Sequence, residues 1–264
     1  MLEAANHGES SFVTLTYDDE HLPEDRSLSP RHVSLFLKKF RLSLAPARIR
    51  YFFVGEYGDE TNRPHYHAAL FGYPSCEQGV TTPRRDGSCC SVCDRLRQHW
   101  DMGHTYSGGL TEQSAAYIAG YVTKKMTGKN DERLQGRHPE FARMSNRPGI
   151  GAPLVPDIAS TLLVHNLDQE PDVPSALRHG ARILPLGRYL RRQLRLQVGK
   201  PANAPPETLA QYDAEMSRVR EAAYAIAPKG LKAFTFKNAL IDSGMSKIKR
   251  IEYKANRYRK RGSI

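Results

Sequence analysis

His65 and His67 stand one residue apart in the run Arg63-Pro64-His65-Tyr66-His67-Ala68-Ala69-Leu70-Phe71, whose remaining residues suit a β-strand. Side chains alternate across a strand, so both imidazoles leave by one face while Tyr66, Ala68 and Leu70 leave by the other. Two imidazoles placed in this way can share one divalent cation. Further along, Tyr117-Ile118-Ala119-Gly120-Tyr121-Val122-Thr123-Lys124-Lys125 carries two phenols and two lysines. On a helix Tyr117 and Tyr121 are neighbours at i, i+4, with Lys125 one turn further and Lys124 beside it. A phenol is a poor nucleophile at its free pKa of about 10, and a metal or a nearby cation must activate it. A metal-held phosphate facing a tyrosine is the chemistry that breaks and rejoins a phosphodiester bond. Each motif also has a plainer reading. With 10 histidines in the chain a His-x-His match arises by chance, and tyrosines with lysines at helical spacing describe an ordinary amphipathic helix.

The elements that must position these groups are legible around them. Ile49-Arg50-Tyr51-Phe52-Phe53-Val54-Gly55-Glu56 reads as a second strand, and the stretch from Tyr57 to Arg63 holds Gly58, Asp59 and Asn62, residues of a connecting loop. An antiparallel hairpin then sets Glu56 opposite His65 or His67, on their face of the sheet. Two imidazoles and one carboxylate with open positions suit an octahedral Mg²⁺ or Mn²⁺ handling a phosphate, with Asp59 and Glu60 as reserve ligands. For the tyrosine helix, Thr111 is the cap, Glu112 complements the dipole, Ala115, Ala116 and Ala119 favour the helix, and Gly128 ends it. Ser29-Pro30 opens an amphipathic helix through Leu44, with Val33, Phe36, Leu37 and Phe40 at helical spacing. Residues 12–127 therefore read as strand, helix, strand, strand, Cys-rich insertion, strand, helix. That order predicts an α+β fold with an antiparallel central sheet and flanking helices.

Charge points to a polyanionic partner. Lysine and arginine outnumber the acids by 39 to 28, a formal net charge of +11, and such a field makes binding of nucleic acid salt-dependent. The excess is uneven. Lys247, Lys249, Arg250, Lys254, Arg257, Arg259, Lys260 and Arg261 face only Glu252 near the C-terminus, with Tyr253 and Tyr258 between them as stacking groups. The plainer alternative for that segment is a solvated tail. Arg188, Arg191, Arg192 and Arg195 form a second basic set on an expected helix and are candidate DNA contacts. No run approaches the roughly 20 apolar residues of a membrane span. Residues 1–11 are polar and carry no signal peptide, so a cytoplasmic setting is expected.

All four cysteines, Cys76, Cys89, Cys90 and Cys93, fall in one Gly- and Pro-containing stretch. The Cys90-x2-Cys93 spacing suits a zinc knuckle, which Cys76 and Cys89, or nearby His99 or His104, could complete. A cytosolic setting disfavours disulfides; reduced thiols in a loop are the alternative to structural Zn²⁺.

Phe12-Val13-Thr14-Leu15-Thr16-Tyr17, the His65-Tyr66-His67 strand and the Tyr117-x3-Tyr121-x2-Lys124-Lys125 helix together resemble the three ordered motifs of the HUH endonucleases. The two-tyrosine arrangement is similar to the rolling-circle replication initiators of small single-stranded DNA phages, in particular the gokushovirus-like microviruses. Gly55-Glu56-Tyr57-Gly58, Ser114-Ala115-Ala116-Tyr117, Pro139-Glu140-Phe141 and Met144-Ser145-Asn146-Arg147-Pro148-Gly149-Ile150-Gly151 fit that group, and the likeness runs from about Phe12 to about Arg195. The resemblance implies a ferredoxin- or RRM-like palm and a metal held by His65, His67 and Glu56. One tyrosine of Tyr117 and Tyr121 would attack to leave a 5′-phosphotyrosine and a free 3′-OH, and the other would serve the later closing step. Single-stranded origin DNA is the implied substrate, the host replication helicase and polymerase are the implied partners, and the cytoplasm of an infected bacterium is the setting. Two features depart from the family. The Cys-rich insertion at about residues 74–100 is one. The other is that Phe12 comes almost at once, where members usually carry a Cys-x-x-Cys segment first. The start therefore reads as an internal methionine or a truncated frame.

The expected organisation is a nuclease domain over residues 1–130 and a basic, mostly helical or irregular extension over 131–264, rich in prolines from Pro148 onward. Two other readings compete. A non-catalytic DNA-binding or packaging protein would use the Cys cluster and the basic tail and leave the tyrosines dispensable. A transposase of the same superfamily would tend to use one tyrosine, and a relaxase one that precedes the histidines; the order here favours an initiator. No Gly-x4-Gly-Lys-Ser/Thr phosphate loop is present, so unwinding would be borrowed from the host.

Overall fold

The structure, a computed structural model, describes residues 1–58, 61–82, 87–124, 132–214 and 217, with 121–124 described by backbone alone. In chain order its elements are α1 (Leu2–Ala5), β1 (Ser10–Tyr17), α2 (Pro30–Ser43), β2 (Arg50–Tyr57), β3 (Pro64–Phe71), α3 (Ser91–His99), β4 (Gly103–Gly109), α4 (Glu112–Lys124), β5 (Phe141–Met144), α5 (Val155–Val164), β6 (Ala176–His179), β7 (Arg182–Pro185) and α6 (Arg188–Gln197). Five strands form one antiparallel sheet in the order β4-β1-β3-β2-β5. The α+β architecture with flanking helices is the one the sequence predicts. No helix among the described residues is long and apolar enough to cross a membrane.

Local chemistry sets the two central helices. Ser29 accepts a hydrogen bond from the His32 amide at 3.3 Å, and Pro30 occupies the first turn of α2, where its missing N–H costs nothing. At α4 the capping is reciprocal. Thr111 Oγ1 accepts from the Ser114 amide at 3.1 Å while Ser114 Oγ accepts from the Thr111 amide at 2.8 Å.

The pleat then sorts the sheet into two faces. Val13, Leu15 and Tyr17 of β1 and Tyr66, Ala68 and Leu70 of β3 point to one side, where they pack with Val33, Phe36, Leu37 and Phe40 of α2 and with Leu96 and Trp100 at the end of α3. Phe12, Val54, Ala69 and Phe71 face the other side and pack with Ile118 of α4. The first face holds the main core, so the second is free to carry chemistry. Past position 130 the chain returns to the sheet, where β5 pairs with β2 in the register Gly55↔Phe141 to Phe52↔Met144. Residues of α5 and α6, with Val173 and Leu186, then close a small core of their own.

One glycine is fixed by this arrangement. Gly103 pairs with Tyr17 at φ +144°, and a Cβ there would run into the backbone of Thr16 and Asp18. We expect Gly103→Ala to lose about 2 kcal/mol or more of stability. A thermal melt unchanged from wild type would count against this close approach.

Candidate functional site

The β2–β3 hairpin has the expected register. Glu56 lies directly opposite His65, and Val54 opposite His67. Since β1 pairs with β3 and β4 with β1, cross-strand rows run over the whole second face. One row is Glu56, His65, Thr16 and His104; the next is Val54, His67, Thr14 and Tyr106. Glu56, His65 and His67 therefore converge without any distortion of the sheet. Glu56 Oε1 is 2.7 Å from His65 Nε2 and 3.0 Å from His67 Nε2. Glu56 and His67 are buried and His65 is half-buried, which leaves the cluster open on the His65 side.

The outer nitrogens of the two rings are held. His65 Nδ1 donates to the Arg63 carbonyl at 3.0 Å, so its Nε2 carries a lone pair whenever the ring is neutral. His67 Nδ1 lies 2.9 Å from the Thr14 hydroxyl. These outer contacts fix ring orientation in the way metal-ligating histidines require. Burial by itself would raise the Glu56 pKa, but the hydrogen bonds to His65 and His67 outweigh it and hold the group down to about 2. Two imidazole nitrogens and an ionised carboxylate oxygen thus point into one small space, an arrangement that a cation satisfies. Mg²⁺ or Mn²⁺ fits this donor set.

Helix α4 packs over β2 and β3 and brings Tyr117 to the same place. Its ring centroid is 5.2 Å from that of His67 and 6.2 Å from that of Phe12, and the residue is 48 % exposed. Phe12 stacks on His67 with centroids 5.6 Å apart. An accessible phenol thus stands beside a buried imidazole of the triad. Tyr121 and Lys124 fall on the α4 backbone, but their side chains lie outside the described residues, as do Lys125, the reserve ligands Asp59 and Glu60, and Gly128.

The four cysteines form a second ligand cluster. All are buried, and one sulfur from each lies within 4.8 Å of the others. Cys76 Sγ is 3.7 Å from Cys89 Sγ and 3.8 Å from Cys90 Sγ. A tetrahedral Zn²⁺ with Zn–S bonds of about 2.3 Å has sulfur–sulfur edges of about 3.8 Å. Burial alone would raise the Cys90 thiol, but backbone hydrogen bonds from Cys93 and Glu77 hold it down to about 7. Neither expected substitute ligand takes part. His99 Nδ1 is bonded to the Arg95 carbonyl at 2.8 Å, and His104 belongs to the triad's row on the sheet. Cys76 comes from the loop after β3, whereas Cys89, Cys90 and Cys93 gather at the start of α3, so the cluster fastens that helix to the sheet.

The basic set on α6 divides. Arg188 and Arg192 are exposed. Arg191 and Arg195 reach Asp172 at 2.6 Å each, and Arg195 is buried there. This ion-pair network ties α6 to the Asp172 loop and neutralises part of the charge that the sequence offers to DNA. The candidate contacts Lys247, Lys249, Arg250, Arg257, Arg259, Lys260 and Arg261, together with Lys254, Tyr253 and Tyr258, lie outside the described residues. Sequence reasoning missed Thr14, the Arg63 carbonyl, His104 and Tyr106. The even-numbered alternation of Thr14 and Thr16 in β1 was the available signal for the first of these.

Comparison with known proteins agrees with the resemblance drawn from the motifs. Residues 10–126 match the family model of the replication-associated protein ORF2. The chain is 37% identical over 147 residues to replication-associated protein ORF2 of Spiroplasma virus 4, covering 53% of this chain and 45% of that one. It is 36% identical over 128 residues to replication-associated protein VP4 of Bdellovibrio phage phiMH2K, covering 46% and 40%. To replication-associated protein ORF4 of Chlamydia phage 1 it is 31% identical over 131 residues, covering 47% and 33%. The chain thus spans less than half the length of each of these relatives. No solved structure matches it.

Proposed function

Taking residues 10–126 as a member of the replication-associated protein ORF2 family, we propose that this chain is a phage rolling-circle replication initiator. In this reading it nicks single-stranded origin DNA through a 5′-phosphotyrosine and later rejoins the strand. The observation that carries the proposal is the convergence of Glu56, His65 and His67, with the accessible Tyr117 ring 5.2 Å from His67. Mg²⁺ or Mn²⁺ held by those three residues would polarise the scissile phosphate and stabilise charge on its oxygens. Tyr117 or Tyr121 supplies the oxygen that bonds to phosphorus. As that bond forms, the bond to the 3′ oxygen breaks, the phenol loses its proton and the departing 3′ oxygen gains one. The released 3′-OH primes the host polymerase behind a host helicase. After one circuit the second tyrosine cleaves the regenerated origin, and the new 3′-OH displaces the first tyrosine to close the circle. Lys124 and Lys125 follow on the same segment, as cations for the phenol or the phosphate. Arg188, Arg192 and the basic C-terminal residues supply salt-dependent hold on the strand. The four thiols take a structural Zn²⁺, separate from the reaction. The setting is the cytoplasm of the infected bacterium.

The test is incubation with a labelled pool of single-stranded origin oligonucleotides and Mn²⁺, resolved on a denaturing gel. The expected product is a protein–DNA adduct that requires metal and vanishes in the Tyr117→Phe/Tyr121→Phe double variant, while either single variant retains some first-step cleavage. Binding on a native gel without any adduct would favour a non-catalytic DNA-binding protein instead.

A further inference from the structure

A cavity of about 480 Å³ opens beside the triad, lined by Thr16, Asp18, Asp19, Arg63, His65 and His104 among others. Its volume is that of a small-ligand site. Its position relative to the nucleophile matters more. Along β1, Phe12 contacts Tyr117, Thr14 holds His67, and Thr16 lies opposite His65. Successive same-face residues are about 6.8 Å apart along a strand. Tyr117 therefore approaches the triad from the Phe12 end, while the cavity leaves it from the Thr16 and Asp18 end. On the far wall stands His104, exposed and opposite Thr16, two strands or about 10 Å from His65.

Phosphoryl transfer places the attacking and leaving oxygens in line across phosphorus. With the phenol on one side of a phosphate held at the triad, the departing 3′ oxygen lies on the other, toward the cavity. We infer that this cavity receives the base of the nucleotide immediately 5′ of the nick, the one that keeps the free 3′-OH. This inference rests on the nicking reaction proposed above.

The lining says what kind of group enters. It is a poor phosphate site. Asp18 and Asp19 are carboxylates, and the Arg63 guanidinium is already held by Asp19 at 2.6 Å and by the Tyr17 carbonyl at 3.0 Å. It suits a base. Ionised carboxylates accept only, so they pair with exocyclic amino groups. The planar Arg63 and His104 groups offer faces on which a ring can stack. Hydrogen bonds from the His21 side chain and amide keep Asp18 ionised by lowering its pKa. The pocket should therefore favour cytosine, adenine or guanine over thymine at that one position. His104 and Asp18 act as specificity residues outside the metal triad.

The experiment uses the full chain with Mn²⁺ and an origin oligonucleotide whose nick has been mapped. The base 5′ of the nick, and separately the base 3′ of it, is varied through all four and an abasic site. Adduct formation is read on denaturing gels, and binding by anisotropy of a fluorescein-labelled strand. Thymine or an abasic site 5′ of the nick should lower kcat/KM by about tenfold relative to the best base. His104→Ala and Asp18→Asn should each shrink that ratio toward one while leaving preference 3′ of the nick as it was. A base preference 5′ of the nick that survives in both variants, in cleavage and in binding alike, would overturn the assignment; so would a loss confined to the 3′ side. Absence of adduct with every oligonucleotide is a different result, which counts against nicking itself, and the anisotropy arm then decides the pocket alone.

Discussion

Replacing His67 by alanine should cut adduct formation by about three orders of magnitude or more, the scale on which loss of a metal or of a key electrostatic group acts at a reacting phosphate. The structure gives the reason. His67 Nε2 is 3.0 Å from Glu56 Oε1, and the ring is fixed by Thr14 on its other nitrogen, so nothing else in the sheet can fill its place. Because His67 also packs between Phe12 and Tyr117, the half-buried His65→Asn is the control that disturbs packing least. Both variants should keep salt-sensitive DNA binding, since the basic side chains of α6 and the C-terminal segment lie apart from the triad in sequence and contacts. Mn²⁺ binding followed by electron paramagnetic resonance should fall in parallel with adduct formation. Normal cutting by either variant would remove the metal assignment.

The second large effect concerns the thiol cluster. The purified chain should carry one zinc per molecule by elemental analysis, and Cys90→Ser should lose it. Structural zinc contributes directly to folding free energy, and here it joins the loop after β3 to the start of α3. That helix leads into Trp100, which is fully buried and whose indole donates to the Thr16 carbonyl at 3.0 Å. Loss of about 4 kcal/mol would lower Tm by roughly 10–15 °C for a chain of this size. Metal-free protein with an unshifted melt in Cys90→Ser would show that the cysteines are packed thiols and nothing more.

Much of the site was legible because its signals are local. The period-two spacing of His65 and His67 fixes a shared face whatever the rest of the chain does, and a short hairpin carries Glu56 there with them. Tyr117 and Tyr121 share a helix face for the same kind of reason, and Thr111 and Ser29 mark their helix starts by chemistry confined to one turn. The cysteine cluster was only half legible. Cys90-x2-Cys93 is a local signal, but Cys76 joins it through a loop closure that spacing leaves open, and His99 and His104 were equally available on paper.

What the sequence alone determined is the kind of chemistry: a histidine pair, a carboxylate and a pair of phenols, each on an element whose period dictates its face. The tertiary structure decided which other groups meet them. The strand order β4-β1-β3-β2-β5 sets β1 between β3 and β4, and only that order brings Thr14 behind His67 and His104 into the row of His65 and Glu56. It likewise brings Asp172 to Arg191 and Arg195, removing two arginines from the charge that composition promised. Periodicity constrains a residue within its own element. Contacts between distant elements depend on strand order and loop closure, which are settled by burial of the whole core, and so they appear only once the chain is folded.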